Sequence, residues 1–178
     1  QAIRQGVRVL GLQSGIGSPI EDMPENFRDW VIDFGSSGYV ARYCIDAETL
    51  LHIVRSTATP HASHQLLAPS SIRSDALTLL LADVAAGRID DAEAKTLHTR
   101  MTEQRIRALG DRVSRWTAWQ IAREQGWSDL HDAEHFAVTR LQADAFVTVD
   151  PARAQRAEGI VPTAEVNALF QSAGLADG

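Results

Sequence analysis

The chain has 178 residues, 44% of them hydrophobic and 22% charged, with a formal net charge of −6. That size suits one ordinary domain plus a small appendage, and the composition is that of a folded globular protein rather than a disordered one. No apolar run approaches the roughly 18 residues a membrane span needs, and a single cysteine, Cys44, excludes an internal disulfide.

Residues 1–42 are rich in glycine and carry Pro19 and Pro24. From Tyr43 onward, strand-like and helix-like segments alternate. The run 42–45 reads as a short apolar strand ending at Asp46. A helix follows over 47–54, with Leu50, Leu51 and Val54 inward. Residues 56–63 form a loop and 65–68 a second strand, stopped by Pro69. A helix is expected over 70–86, with Gly87 as its terminator. Asp90 opens the next helix, with Glu93 at capping-box spacing. Residues 105–109 alternate as a strand does. Asp111 then caps a helix ending near Gly126, and another begins around His131. Residues 145–149 read as a strand ending at Asp150. A last short strand at 160–162 and a short helix at 164–170 complete the pattern. Strands alternating with helices in this way predict an α/β fold with a central parallel sheet covered on both faces.

Ligands of open parallel sheets bind beyond the carboxyl ends of the strands. Asp46 and Asp150 each follow a strand directly, and Asp132 lies in the first turn of its helix. Asp75 lies one turn into its own helix, on or beside the inward face, where a charge is costly without a positive partner. Carboxylates without cysteine suit a hard cation such as Mg²⁺ or Mn²⁺, and such ions assist phosphodiester hydrolysis. Each acid also has a purely structural reading: Asp46, Asp111 and Asp132 as helix caps, Asp150 before Pro151 as a turn residue.

Four fragments in order give the chain a resemblance. These are Tyr-Cys-Ile-Asp46-Ala-Glu-Thr-Leu-Leu, Leu-Ala-Pro69-Ser-Ser-Ile-Arg-Ser-Asp75, His131-Asp132-Ala-Glu-His-Phe-Ala, and Val147-Thr148-Val149-Asp150. Over residues 43–170 the sequence resembles the PIN domain of VapC-type toxin ribonucleases. The resemblance implies a three-layer α/β/α sandwich over 43–172, with 173–178 as a tail. It implies a type II toxin that cuts RNA with Mg²⁺ or Mn²⁺ and works in the cytoplasm. Its partners would be a VapB-like antitoxin that occludes the site and a second copy of itself; no membrane is involved. Asp46, Asp75, Asp132 and Asp150 would be the catalytic acids and Asp46, Asp132 and Asp150 the metal ligands, supported by Thr148 and Arg73. One departure stands out: Asp75 occupies a position where the family usually has glutamate. A catalytically weak PIN fold that binds RNA or protein is therefore the alternative.

Residues 20–43 are also similar to the middle of a ParE/RelE-type toxin, so 1–42 reads as a truncated segment of that kind, or as a helix and hairpin appended to the main domain. Two rival patterns complete the reading. His131-Asp-Ala-Glu134-His135 fits the H-x-x-E-H zinc pattern, though no third ligand stands at a convincing distance. Trp30, Trp116, Trp119 and Trp127, with Arg105, Arg112, Arg115 and Arg123, could line an RNA path or simply pack.

Overall fold

A computed structural model of the chain describes residues 40–56 and 58–171, together with a two-residue antiparallel ladder that pairs Ser18–Pro19 with Arg28–Asp29. Contacts divide the chain into residues 1–39 and 40–178. The rest of the ParE/RelE-like segment, with Trp30, lies outside the described residues, as does the 173–178 tail.

In the larger unit the order is β1 (Arg42–Ile45), α1 (Ala47–Arg55), β2 (Gln65–Pro69), α2 (Ile72–Ala85), α3 (Asp91–Glu103), β3 (Ile106–Leu109), α4 (Arg112–Gln125), α5 (His131–Gln142), β4 (Ala145–Val147) and α6 (Pro151–Ala157). A 3₁₀ turn, Val166–Leu169, closes the described chain. The four strands form one parallel sheet in the order β3-β2-β1-β4.

The two-residue period of the strands sorts the core into two halves. Ile45, Leu66, Ala68 and Val147 point to one side, where they meet Leu50, Ile53 and Val54 of α1, Ile72, Ala76 and Leu80 of α2, and Leu97 and Met101 of α3. Cys44, Leu67 and Phe146 point to the other side, against Ala118 and Ile121 of α4, Phe136 and Ala137 of α5, and Ala157 of α6. This is the expected three-layer α/β/α sandwich with a central parallel sheet. Among the described residues no helix is long and apolar enough to cross a membrane.

Capping places most helix starts. Asp46, Asp90, Asp111 and Asp150 each accept a backbone N–H of the helix they precede. Gly126 ends α4 with φ of +68°, a left-handed conformation that glycine adopts without Cβ strain.

The structure departs from the sequence reading at several joints. β4 ends at Val147, not 149, because the Thr49 hydroxyl donates to the Val147 carbonyl (3.4 Å) and accepts the Val149 N–H (3.1 Å). A side chain thus takes the backbone groups a neighbouring strand would have used. The expected strand at 160–162 is a single parallel bridge, Phe146 to Thr163. The expected helix at 164–170 shrinks to the 3₁₀ turn, whose Leu169 carbonyl accepts from His61 N–H (2.9 Å). Pro69 closes β2 rather than following it, and α2 starts two residues later than expected. Helix α6 was not anticipated at all, although Asp150-Pro151 is a cap followed by a first-turn proline.

Candidate active site

Register sets the floor of the site. Ile45 lies opposite Val147 in the β1–β4 ladder, so the next residues, Asp46 and Thr148, leave the sheet side by side. The Thr148 hydroxyl donates to Asp46 Oδ2 at 2.5 Å and accepts the Asp150 N–H at 3.0 Å. Asp46 Oδ1 accepts the Thr49 N–H at 2.9 Å as the cap of α1. Asp46 is therefore at once a helix cap and a fully buried carboxylate at the carboxyl end of the central strand. Its burial would push the carboxyl up, but hydrogen bonds from Thr148, Thr49 and Arg153 outweigh that and hold it below its ordinary value.

The second acid arrives from the other layer. Asp132 sits in the first turn of α5, almost buried, where the helix N-terminus favours negative charge. Between it and Asp46 lies a residue the sequence reading passed over. Arg153, on the third residue of α6, donates from Nη1 to Asp46 Oδ2 (2.8 Å) and to Glu48 Oε2 (2.6 Å), and from Nε to Asp132 Oδ1 (2.9 Å). One guanidinium joins three carboxylates from α1 and its cap and from α5. Burial alone would disfavour its charge, but Asp46 and Glu48 more than restore it, so its pKa is raised. Arg156, one turn further along α6, binds the other Asp132 oxygen at 2.6 Å and lies 4.4 Å above the Trp127 ring.

Beside these pairs opens a cleft of about 300 Å³ lined by Asp129, His131, Asp132, Asp150, Ala152, Arg153 and Arg156. Asp150 caps α6 by accepting the Ala152 N–H at 2.9 Å and stands on the cleft wall. The structure thus brings Asp46, Asp132, Asp150 and Thr148 to one end of the sheet. Asp75 is not among the residues lining this cleft. It lies in the first turn of α2, and its Oδ2 is buried without a hydrogen-bond partner. Arg73 donates to the Gln104 carbonyl (3.3 Å), which ties the start of α2 to the end of α3.

The zinc pattern is not assembled. His135 points into the core beside Phe146, and its Nδ1 lies 3.0 Å from the His131 carbonyl. Burial holds its ring below its ordinary pKa. Among the tryptophans, Trp127 packs edge-on to Phe136, whereas Trp116 and Trp119 stack on each other at the surface, 4.5 Å apart. With Val113, Leu130, Arg112 and Arg115 they line an open apolar groove on α4.

The donor chemistry is that of a hard-cation site, but the residues as placed do not form one. Among the described residues no group of three or more acid, histidine or cysteine side chains is arranged to hold a metal ion. Asp46 Oδ2 and both Asp132 oxygens are taken by guanidinium groups. The missed partners, Arg153, Arg156 and Glu48, carried one sequence signal: a capped α6 would have placed both arginines on one helix beside Asp150.

No family model matches the chain, and no curated protein matches it. The crystal structure of PAE2754 from Pyrobaculum aerophilum is similar in fold, with a TM-score of 0.54 at 19% identity, covering 73% of this chain and 94% of that one. At that identity the likeness speaks for the fold alone.

Proposed function

We propose that the chain is a PIN-type toxin ribonuclease of the VapC kind, a Mg²⁺- or Mn²⁺-dependent hydrolase of RNA phosphodiesters that acts in the cytoplasm. The observation that carries this reading is the convergence of Asp46 and Asp132 on a single guanidinium at the carboxyl edge of the parallel sheet. Two acids far apart in sequence are brought within one side chain's reach where such sheets bind their ligands. Thr148 fixes one of them, and Asp150 stands on the adjoining cleft wall. A VapB-like antitoxin and a second copy are the partners of this reading, and the exposed apolar groove on α4 offers one such partner a face.

A second reading, a catalytically weak RNA- or protein-binding module of the same fold, draws on a specific observation. Arg153 already pairs with Asp46, Glu48 and Asp132, and Asp75 does not line the cleft. The two readings part in one experiment. Purified protein is incubated with varied RNAs and Mn²⁺, beside the Asp46→Asn variant, and both are expressed in a bacterial host. The enzyme reading expects cleavage and growth arrest by the parent chain and neither by the variant. Absence of cleavage by the parent across all RNAs would favour the binding module.

A further inference from the structure

Helix α4 buries Ser114, Ala118, Ile121 and Ala122. Another stripe of the same helix, at helical spacing, reads Arg112, Trp116, Trp119, Arg123. Trp116 is 56% exposed, and its indole stacks on that of Trp119, with ring centres 4.5 Å apart and planes 13° from parallel. The Arg123 guanidinium lies 4.9 Å from the centre of the Trp119 ring. Trp116 precedes Trp119 by one turn and Arg123 follows it by one turn, so they cover it from opposite sides. The column is closed at Arg123 and open at Trp116. Leaving stacked indoles in water forgoes the burial that aromatic side chains ordinarily gain, so the pair points to a ligand.

The tryptophans share their groove, of about 780 Å³, with Val113, Leu130, Arg112 and Arg115. Its charged lining is arginine alone, in a chain of net charge −6. Asp111, next in sequence, is engaged in capping α4. Leu130 joins the groove to the acid edge, because its neighbours Asp129 and His131 line the cleft there. A second copy docked by the same face would set each arginine against its equivalent, which like-charge repulsion opposes. A single-stranded nucleic acid offers what the groove lacks: flat faces to stack and phosphates to pair.

We propose that the α4 groove is a stacking site for single-stranded RNA, with one base on the open face of Trp116 and the flanking phosphates on Arg112 and Arg115. This rests on the RNA reading above, and it names the form of RNA bound and residues outside the acid cluster that hold it. Bases in a duplex stack on one another and show no free face, so duplex RNA does not use the site. A strand anchored in the groove is held beside the cleft, and a protein partner seated there would compete with it.

The test measures binding of a fluorescein-labelled single-stranded RNA of mixed sequence to the full chain by anisotropy, with EDTA present so that nothing is cut. Trp116→Ala should weaken binding roughly tenfold, and Trp116→Phe, which keeps a ring, should recover most of the loss. Trp116 is exposed, so neither change threatens the fold. Arg112→Gln should weaken binding less and make it less sensitive to salt. A strand of abasic ribose phosphates, or a duplex, should bind the parent chain and Trp116→Ala alike. Unchanged affinity in Trp116→Ala, or an equal loss with the abasic strand, overturns the proposal. So does a dimer lost in Trp116→Ala by sedimentation while RNA binding stays intact, since the groove is then a protein interface. The nuclease is judged separately, by cleavage with Mn²⁺. A parent chain that cuts RNA yet binds none in EDTA, or whose cleavage is as efficient in Trp116→Ala, sinks the groove and keeps the nuclease. Binding that depends on Trp116 without any cleavage keeps the groove and sinks the nuclease. If the parent chain neither binds nor cuts RNA, both fall.

Discussion

Thr148→Val probes the site with the smallest change of shape. Valine is close to threonine in volume but loses the hydroxyl that donates to Asp46 Oδ2 at 2.5 Å and accepts the Asp150 N–H at 3.0 Å. Asp46 is fully buried, so water does not replace the lost donor. A hydrogen bond to a charged group contributes about 1.5–3 kcal/mol, and the half-exposed Asp150 N–H adds at most about 1 kcal/mol. The variant should lose about 1.5–4 kcal/mol at pH 7, read from the urea midpoint by circular dichroism. The loss should depend on pH. Asp46 titrates below its ordinary value of 3.8 in the fold. Its bonds therefore stabilise the fold fully above that value, and the stabilisation fades as pH falls through the folded value. The variant moves the folded value upward, so its deficit should be largest at neutral pH and shrink below about pH 4. A deficit under about 0.5 kcal/mol at pH 7, or one that stays flat down to pH 3, would refute the account of Asp46 as a buried carboxylate stabilised by donors.

Cys44 has its thiol pushed up to about 12, chiefly by burial, so alkylating reagents at pH 8 should leave it unmodified in the native protein and label it within minutes once urea unfolds the chain. Gly126→Ala should cost about 1 kcal/mol in denaturant unfolding, because the left-handed conformation that ends α4 then carries a Cβ. Gly110→Ala should destabilise for a different reason: its Cβ would meet Ser70 Oγ at 2.6 Å, and a Ser70→Gly background should recover part of the loss. Phe146→Ala removes a fully buried ring of the edge strand β4 from the core and should cost about 3–5 kcal/mol, measured the same way.

Much of the scaffold was legible residue by residue. The apolar run before Asp46, the capping aspartates and the glycine at 126 state local preferences that need no partner, and the two faces of the sheet follow from strict alternation at Cys44 and Ile45. The misread joints are the places where a distant side chain or carbonyl overrides the local pattern, as Thr49 does at the end of β4 and His61 does at Leu169. The acids divide the same way. Asp46, Asp132 and Asp150 were visible because each follows a strand or opens a helix, and local chain direction aims them at one edge. Asp75 had the same kind of sequence support, but it is not among the residues lining the cleft, and its buried Oδ2 meets no hydrogen-bond partner. Arg153 was illegible as the counter-charge. The Asp150-Pro151 cap could have put it on a helix beside Asp150, but its choice of Asp46, Glu48 and Asp132 depends on β4 pairing beside β1 and carrying α6 to that edge. By itself the sequence determined which carboxylates could reach the sheet's carboxyl edge. Only the tertiary structure decided what positive charge meets them there, because ion pairing is set by distance in space and not by spacing along the chain.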